Sequence, residues 1–178
     1  LDYSAGAPSG TFTNTVSNNT VTLNSAATSS TFEAIRQANS FVGGAVAGFT
    51  LNINNNSVIN CAITGASSTS PLSGILNAYP VGVLNINNNI YRGNTTTATS
   101  GTINAIANSG AVVTTININN NSIGDGTAGA ITFSAANSGT PVFIANSGGA
   151  STCALSISSN NFQGIVYSVA GTGGNTYV

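Results

Sequence analysis

Apolar and polar residues alternate in a six-residue cassette that recurs three times along the chain. It reads Leu-Asn-Ile-Asn-Asn-Asn at residues 51–56 and 84–89, and Ile-Asn-Ile-Asn-Asn-Asn at residues 116–121. A period of two predicts a half-buried β-strand, with the Leu and Ile side chains inside and the alternating Asn side chains outside. The Asn run that follows predicts a turn, because Asn tolerates a left-handed backbone and hydrogen-bonds to its own main chain.

Degenerate copies extend this pattern toward both ends of the chain, at residues 16–21 and 155–161. The central apolar residues of the five copies are separated by about 37, 33, 32 and 39 residues, a range typical of solenoid repeats. The chain therefore divides into repeats centred near these residues, which are Val16, Ile53, Ile86, Ile118 and Ile157.

A second recurring segment precedes the cassettes. Residues 101–110 closely match residues 139–148, and looser copies lie at 31–35 and 71–75. One repeat then contains a strand, an Asn-Ser-Gly turn, the cassette strand, an Asn turn, a short strand and a variable Thr/Ser/Gly loop such as 94–101. Such a repeat describes one coil of a parallel β-helix. The predicted fold is all-β, a parallel β-helix (β-solenoid) of about five coils with three short strands per coil.

Two alternatives to this interpretation remain. A β-sandwich or a propeller also has many short strands, but the unequal repeat lengths and the fixed phase of the Asn turns favour the solenoid. The Asn-Gly turns typical of antiparallel hairpins are absent from the sequence. Residues 32–39 could also form a helix with Glu33 near its start, although their alignment with the later strands favours a strand.

Equivalent residues of successive coils should stack about 4.8 Å apart, the usual spacing between paired strands. The central apolar residues then form one interior column, which we predict to contain Val16, Ile53, Ile86, Ile118 and Ile157. The cassette asparagines should form a structural ladder in which side-chain amides bond from coil to coil. We predict this ladder at Asn54, Asn55, Asn87, Asn88, Asn119, Asn120 and Asn160, or at their neighbours.

Charge is nearly absent from this chain of 178 residues, which is 41% hydrophobic and only 3% charged, with a formal net charge of −1. Disordered segments show the opposite profile, low hydrophobicity with high net charge, so an ordered β-rich protein is indicated. Two arginines cannot neutralise enough phosphates for nucleic-acid binding, and we expect no nucleic-acid partner. The longest apolar stretch, around residues 41–51, is short and broken by glycine, so no transmembrane segment is predicted.

The same composition argues against catalysis. A pectate-lyase or glycosidase site needs clustered charged groups, yet Asp2, Glu33 and Asp125 lie in different repeats at different phases. The chain has no His and no Lys, so the common general bases are missing, and its serines have no partner base. We therefore predict no catalytic residues, no metal site and no cofactor, and we expect that the protein is not an enzyme.

The two cysteines and the absence of Met bear on disulfide bonding and on the extent of the chain. Cys61 and Cys153 fall at different phases of the repeat, which favours buried small apolar residues over a disulfide between them. The chain begins at Leu1 and contains no Met. We interpret residues 1–178 as a single repeat domain that is a segment or a processed part of a longer chain.

The cassettes and their Thr/Ser/Gly-rich spacers, between about residues 14 and 165, resemble repeats of very large secreted surface proteins of Bacteroidota. The resemblance implies β-helical adhesins or fibre-forming stalks outside the cell, and it transfers no catalytic residues. We therefore expect a non-catalytic structural module of an extracellular fibre or cell-surface adhesin. Its expected partners are a second copy, stacked end to end, or neighbouring repeats of the same polypeptide.

The alternative is a β-helix module that binds carbohydrate or another extended surface. It would use rows of Asn, Thr and Ser together with exposed tyrosines, for which the candidates are Tyr3, Tyr79, Tyr91 and Tyr167. Ice binding is a variant of this alternative and requires regular Thr rows on one face. It is disfavoured, because the Thr runs at 95–97 and 114–115 are predicted in loops or just before strands and do not repeat at one phase.

Overall fold

Parallel strands build the whole of the structure, a computed structural model that describes residues 10–29, 31–38, 47–66 and 72–171. Within these residues 19 strands wind into a parallel β-solenoid. The predicted fold class is thereby confirmed. Residues 32–37 form a strand, so the helical alternative for this segment is wrong. No helix in the described ranges is long and apolar enough to cross a lipid bilayer.

The strands follow one another coil by coil. The first coil contains β1 (Phe12–Ser17), β2 (Thr20–Val21), β3 (Asn24–Ser25) and β4 (Phe32–Gln37). The second contains β5 (Phe49–Asn54), β6 (Ser57–Ile59), β7 (Ala62–Ile63) and β8 (Leu72–Asn77). The third contains β9 (Val81–Asn87), β10 (Ile90–Arg92), β11 (Asn94–Thr96) and β12 (Ile106–Asn108). The fourth contains β13 (Val112–Asn119), β14 (Ser122–Ile123), β15 (Ile131–Phe133) and β16 (Ile144–Asn146). The fifth contains β17 (Ala154–Ser158), β18 (Asn161–Phe162) and β19 (Ile165–Tyr167).

Equivalent strands of successive coils pair into four parallel sheets along the solenoid. Sheet A has the order β1-β5-β9-β13-β17, and sheet B has the order β2-β6-β10-β14-β18. Sheet C has the order β3-β7-β11-β15-β19, and sheet D has the order β4-β8-β12-β16. Sheet A holds the longest strands, which are the cassette strands, and the Asn turn leads from each of them into sheet B.

Each complete coil has four strands where the sequence indicated three. The additional strand belongs to sheet C, for example β11, which lies in a segment that was predicted to be a loop. Thr96 in this strand is buried, and its Oγ1 accepts a hydrogen bond from the Ala98 N–H at 3.0 Å. Thr114 and Thr115 likewise lie within β13. The interpretation of these Thr runs as loops or as residues before a strand is therefore wrong.

The predicted interior column is present in strict register along sheet A. Val16 pairs with Ile53, Ile53 with Ile86, Ile86 with Ile118, and Ile118 with Ile157. The three middle members are fully buried, whereas Val16 is half-buried and Ile157 is 37% exposed, because these two lie in the first and last described coils. Burial of one such side chain stabilises the fold by about 1.5–3 kcal/mol. The column is therefore a main source of stability.

Candidate functional site

The three consecutive asparagines of each cassette do three different things. The middle one makes the turn: Asn55, Asn88 and Asn120 have φ values of 58°, 57° and 58°, and all three are exposed. This is the left-handed conformation that Asn tolerates better than most residues. Their side chains make no hydrogen bond between coils in the part of the chain that the structure describes. The prediction that these three residues belong to the ladder is wrong, because the turn directs their side chains to solvent.

The first asparagine of each run joins the coils through its side-chain oxygen and the backbone of the next coil, and not through the amide-to-amide bonds that were predicted. The Oδ1 of Asn54 accepts the backbone N–H of Asn87 at 3.0 Å, and the Oδ1 of Asn87 accepts that of Asn119 at 3.0 Å. The Oδ1 of Asn119 accepts the N–H of Ser158 at 2.8 Å. These side chains thus bond each coil to the next at the end of the sheet A strand.

The third asparagine is the buried one, and the predicted ladder named it in only one coil, as Asn160. Each Oδ1 of this ladder accepts two hydrogen bonds from the asparagine one coil before it, one from the backbone N–H and one from Nδ2. The lengths are 2.9 and 3.1 Å from Asn56 to Asn89, 2.9 and 3.0 Å from Asn89 to Asn121, and 2.9 Å for both from Asn121 to Asn160. The main ladder, as we name it here, comprises Asn19, Asn56, Asn89, Asn121 and Asn160.

The same side chains also hold the preceding coil through its backbone. The Nδ2 group of Asn89 donates to the carbonyl of Ile53 at 2.8 Å, and that of Asn121 donates to the carbonyl of Ile86 at 2.9 Å. Every buried amide in the middle of the main ladder is thus saturated, which is what a buried polar group requires. The turn residue explains why sequence reasoning missed these positions: it reverses the side-chain alternation, so the third Asn points inward.

Two further amide rows lie on other faces. On the outer face of sheet A, Nδ2 of Asn85 donates to Oδ1 of Asn52 and Nδ2 of Asn117 donates to Oδ1 of Asn85, both at 2.8 Å. We call Asn52, Asn85 and Asn117 the outer row. In sheet D, Asn77 donates to Asn108 and Asn108 donates to Asn146, again at 2.8 Å. The sequence signal for the sheet D row was the Ala-Asn-Ser-Gly match between residues 107–110 and 145–148.

The charged groups of the described chain form two ion pairs in different coils. Arg36 Nη1 lies 3.1 Å from Glu33 Oε2 on β4, and Arg92 Nη1 lies 2.6 Å from Asp125 Oδ2 between the third and fourth coils. The backbone N–H groups of Ala128 and Thr127, followed by Arg92, lower the pKa of the Asp125 carboxyl. Glu33 and Asp125 thus lie in separate coils, each with its own arginine, and Asp2 lies outside the described residues.

The thiols and the tyrosines are structural in this arrangement. Cys61 is buried and Cys153 is half-buried, and both are free thiols. Burial raises the pKa of the Cys61 thiol. Tyr91, a candidate for an exposed binding residue, is only 4% exposed and stacks between Val58 and Ile123 in register, so that prediction is wrong. A three-residue strand gave no periodicity from which its inward direction could be inferred.

The remaining candidate tyrosines give little binding surface. Tyr79 and Tyr167 are half-buried, and Tyr3 lies outside the described residues. A cavity beside Tyr91 has a volume of about 10 Å³, which is room for about one water molecule and too small for an organic ligand. Among the described residues, no three or more His, Cys, Asp or Glu side chains group together as metal ligands.

Comparison of the chain with known proteins identifies no relative from which a function could be transferred. No protein-family model matches the sequence, and neither a curated protein nor a solved structure is significantly similar to it. A function for this chain therefore rests on its amide rows, the outer face of sheet A and its first and last coils.

Proposed function

We propose that this chain is a non-catalytic structural module of an extracellular fibre or cell-surface adhesin, and that its coils extend a stack. The observation that carries the proposal is the main ladder, which runs without interruption from Asn19 to Asn160. A polar ladder that satisfies every interior rung stabilises one arrangement of the coils above all others, because a half-satisfied network would be costly. A repeated, self-propagating contact is what an elongated scaffold requires.

The charge distribution supports the same proposal. Described charges are confined to two ion pairs, so a stack of copies would accumulate almost no electrostatic repulsion. Extracellular location and attachment to a cell surface are part of the proposal, and the resemblance of the cassettes to repeats of secreted Bacteroidota surface proteins supports them.

Negative-stain electron microscopy of the purified chain over a series of concentrations tests the proposal. We expect unbranched fibres with the width of one solenoid, and more of them at higher concentration. Circular dichroism recorded on the same samples shows whether the β-structure is intact. A chain that keeps its β-structure but shows no fibres at any concentration would rule out the fibre module.

A carbohydrate-binding or surface-binding module is the second candidate, and the outer row is the observation that favours it. Asn52, Asn85 and Asn117 hold one another in fixed orientations on an uncharged face, so their remaining donors and acceptors are pre-organised for sugar hydroxyls. A glycan array probed with the unmodified chain and with Asn117→Ala would test this function. Loss of a glycan signal in the variant would support the module, and an array without signal for the unmodified chain would exclude it for the sugars tested.

A further inference from the structure

We propose that copies of this chain join head to tail, with the fifth coil of one copy pairing in register with the first coil of the next. This inference rests on the proposed structural function and adds which ends meet and in which direction. The contact would continue the pairing inside each copy, where β1 lies beside β5 and β13 lies beside β17. The partner is therefore a second copy of this chain.

The fifth coil presents apolar core residues at an uncovered edge. Leu155 and Ile157 continue the interior columns of Ile116 and Ile118, yet they are 56% and 37% exposed. β17 is the edge strand of sheet A in the described structure, so its outer backbone groups have no strand partner there. An edge that combines unpaired backbone with apolar side chains is a template for another strand.

The main ladder gives this edge a direction. Inside the solenoid, each asparagine donates its backbone N–H and one Nδ2 hydrogen to the Oδ1 of the asparagine in the following coil. Asn160 is the last rung: its Nδ2 donates backward to the Ile118 carbonyl at 2.8 Å, and its forward donors meet no further rung among the described residues. The fifth coil therefore offers donors.

The first coil offers the matching acceptor. Asn19 donates its N–H and Nδ2 forward to Asn56 at 3.1 and 3.0 Å, in the same way as the three interior rungs donate to the rung that follows them. Its own Oδ1 occupies the position that, in the other rungs, accepts from the preceding coil. Joining Asn160 of one copy to Asn19 of the next repeats the internal rung. Joining two fifth coils would instead place donors against donors.

The apolar side chains fit the same register. Placing β1 of one copy on β17 of the other brings Val16 onto Ile157, which continues the interior column across the junction. The first coil also holds a cavity of about 100 Å³. Its apolar lining is Val16, Ile35, Leu51 and Ile53, and its polar lining is Asn14, Thr15, Arg36 and Gln37. Such a cavity can receive the exposed aliphatic side chains of the fifth coil.

Two variants that each block one end test the direction. Ile157→Asp places a charge on the fifth coil, and Val16→Asp places one on the first coil. Each variant alone should be monomeric in sedimentation velocity at concentrations where the unmodified chain forms chains. An equimolar mixture should form 1:1 dimers and nothing longer, because only one intact pair of ends remains.

Matched controls lie on the outer face of sheet A. Ser156→Asp and Thr13→Asp add the same charge to the same strands at outward positions. They should assemble like the unmodified chain. If either blocking variant loses its β-sheet circular dichroism signal, Ile157→Ser or Val16→Ser replaces it, with the same expected loss of self-association.

The outcomes separate this inference from the structural function. Dimers of the Val16→Asp variant alone, whose fifth coil is intact, would show that two fifth coils meet and would overturn the head-to-tail contact. Fibres that persist in both blocked variants would overturn it as well, while leaving the fibre function in place. An unmodified chain that stays monomeric and folded would overturn the contact and the fibre function together.

Discussion

At the scale of single residues, one asparagine of each cassette holds three coils together. Asn89 accepts two hydrogen bonds from Asn56, donates to the carbonyl of Ile53, and donates through Nδ2 and its backbone N–H to Asn121. Its neighbour Asn88 has the same type of side chain, but that side chain is exposed, and the residue makes the turn through its left-handed backbone. Chemically identical residues in adjacent positions thus contribute to stability in different ways.

Asn89→Ala should therefore be strongly destabilising. The change leaves the buried Asn56 N–H and the Ile53 carbonyl without these partners, at about 1–3 kcal/mol for each unsatisfied group. Asn88→Gly is the matched control, because glycine adopts a φ of 57° without strain, and it should change the unfolding free energy by less than about 1 kcal/mol. Urea unfolding measures both. Equal losses in the two variants would contradict the burial assigned to the main ladder.

At the scale of elements, sheet A combines an apolar inner column with polar outer rows on the same strands. The inner column and the outer rows depend on the same register, because a one-residue shift would place the isoleucines outside and the asparagines inside. Each strand is buried between its two neighbours in the middle of the sheet, and less so at the ends. Position along the solenoid should therefore set how much each member of the column contributes.

Truncation of the column should show this gradient. Ile86→Ala removes buried methyl groups between two coils and should cost about 2–5 kcal/mol of unfolding free energy. Ile157→Ala makes the same chemical change at a site that is 37% exposed and should cost clearly less in the monomer. Thermal and urea unfolding at low protein concentration compare them. Similar losses at the two positions would show that the interior assignment is wrong.

A charge in the middle of the column is the more severe test. Ile86→Asp puts an unpaired carboxylate at a fully buried position, and leaving a buried charge uncompensated costs roughly 3–5 kcal/mol. We expect loss of the cooperative unfolding transition. Asn85→Asp, on the same strand but facing outward, should retain a folded solenoid in circular dichroism.

At the scale of the whole molecule, stability should be almost independent of pH across the neutral range. The chain has no His, and among the described residues the pKa is shifted for Asp125 on the acid side and for Cys61 and Tyr91 on the alkaline side. The folded-state pKa of Asp125 is lowered, so its contribution is present above the ordinary pKa of 3.8 and is lost as the pH falls below it. Cys61 and Tyr91 have raised pKa values, so their contributions are lost as the pH rises above their ordinary values of 9.0 and 10.0.

A melting temperature measured between about pH 5 and 8 should therefore be flat. It should fall in acid below about pH 4, and Asp125→Asn should reduce that acid dependence. The melting temperature should also fall at alkaline pH, and Cys61→Ala should reduce that alkaline dependence because it removes a group whose pKa is raised by folding. A transition that titrates near pH 6–7 in the unmodified chain would be incompatible with this set of groups.

Period and spacing predicted the parts of the fold that repeat strongly in the sequence. The cassette strands and the column from Val16 to Ile157 followed from alternation over five or six residues, which is long enough to define a face. The strands of sheet C are only two or three residues long, which is too short to define a period, and in β11 the inward residues Asn94 and Thr96 are polar. Asn56 follows a turn residue, Asn55, whose left-handed backbone reverses the alternation of the strand. The inward direction of the Asn56 side chain therefore depends on a backbone angle that the sequence pattern does not reveal.

The shared orientation of the main ladder makes the two ends of the solenoid chemically different. From Asn19 to Asn160 every side-chain carbonyl of this ladder faces the first coil and every forward N–H faces the fifth. The outer row points the opposite way, because Asn117 donates to Asn85 and Asn85 donates to Asn52, so the difference lies in the groups at the two ends and not in a dipole of the whole molecule. A fibre made of such coils would expose the acceptor of the main ladder at one end and its donors at the other. The two ends would consequently grow at different rates.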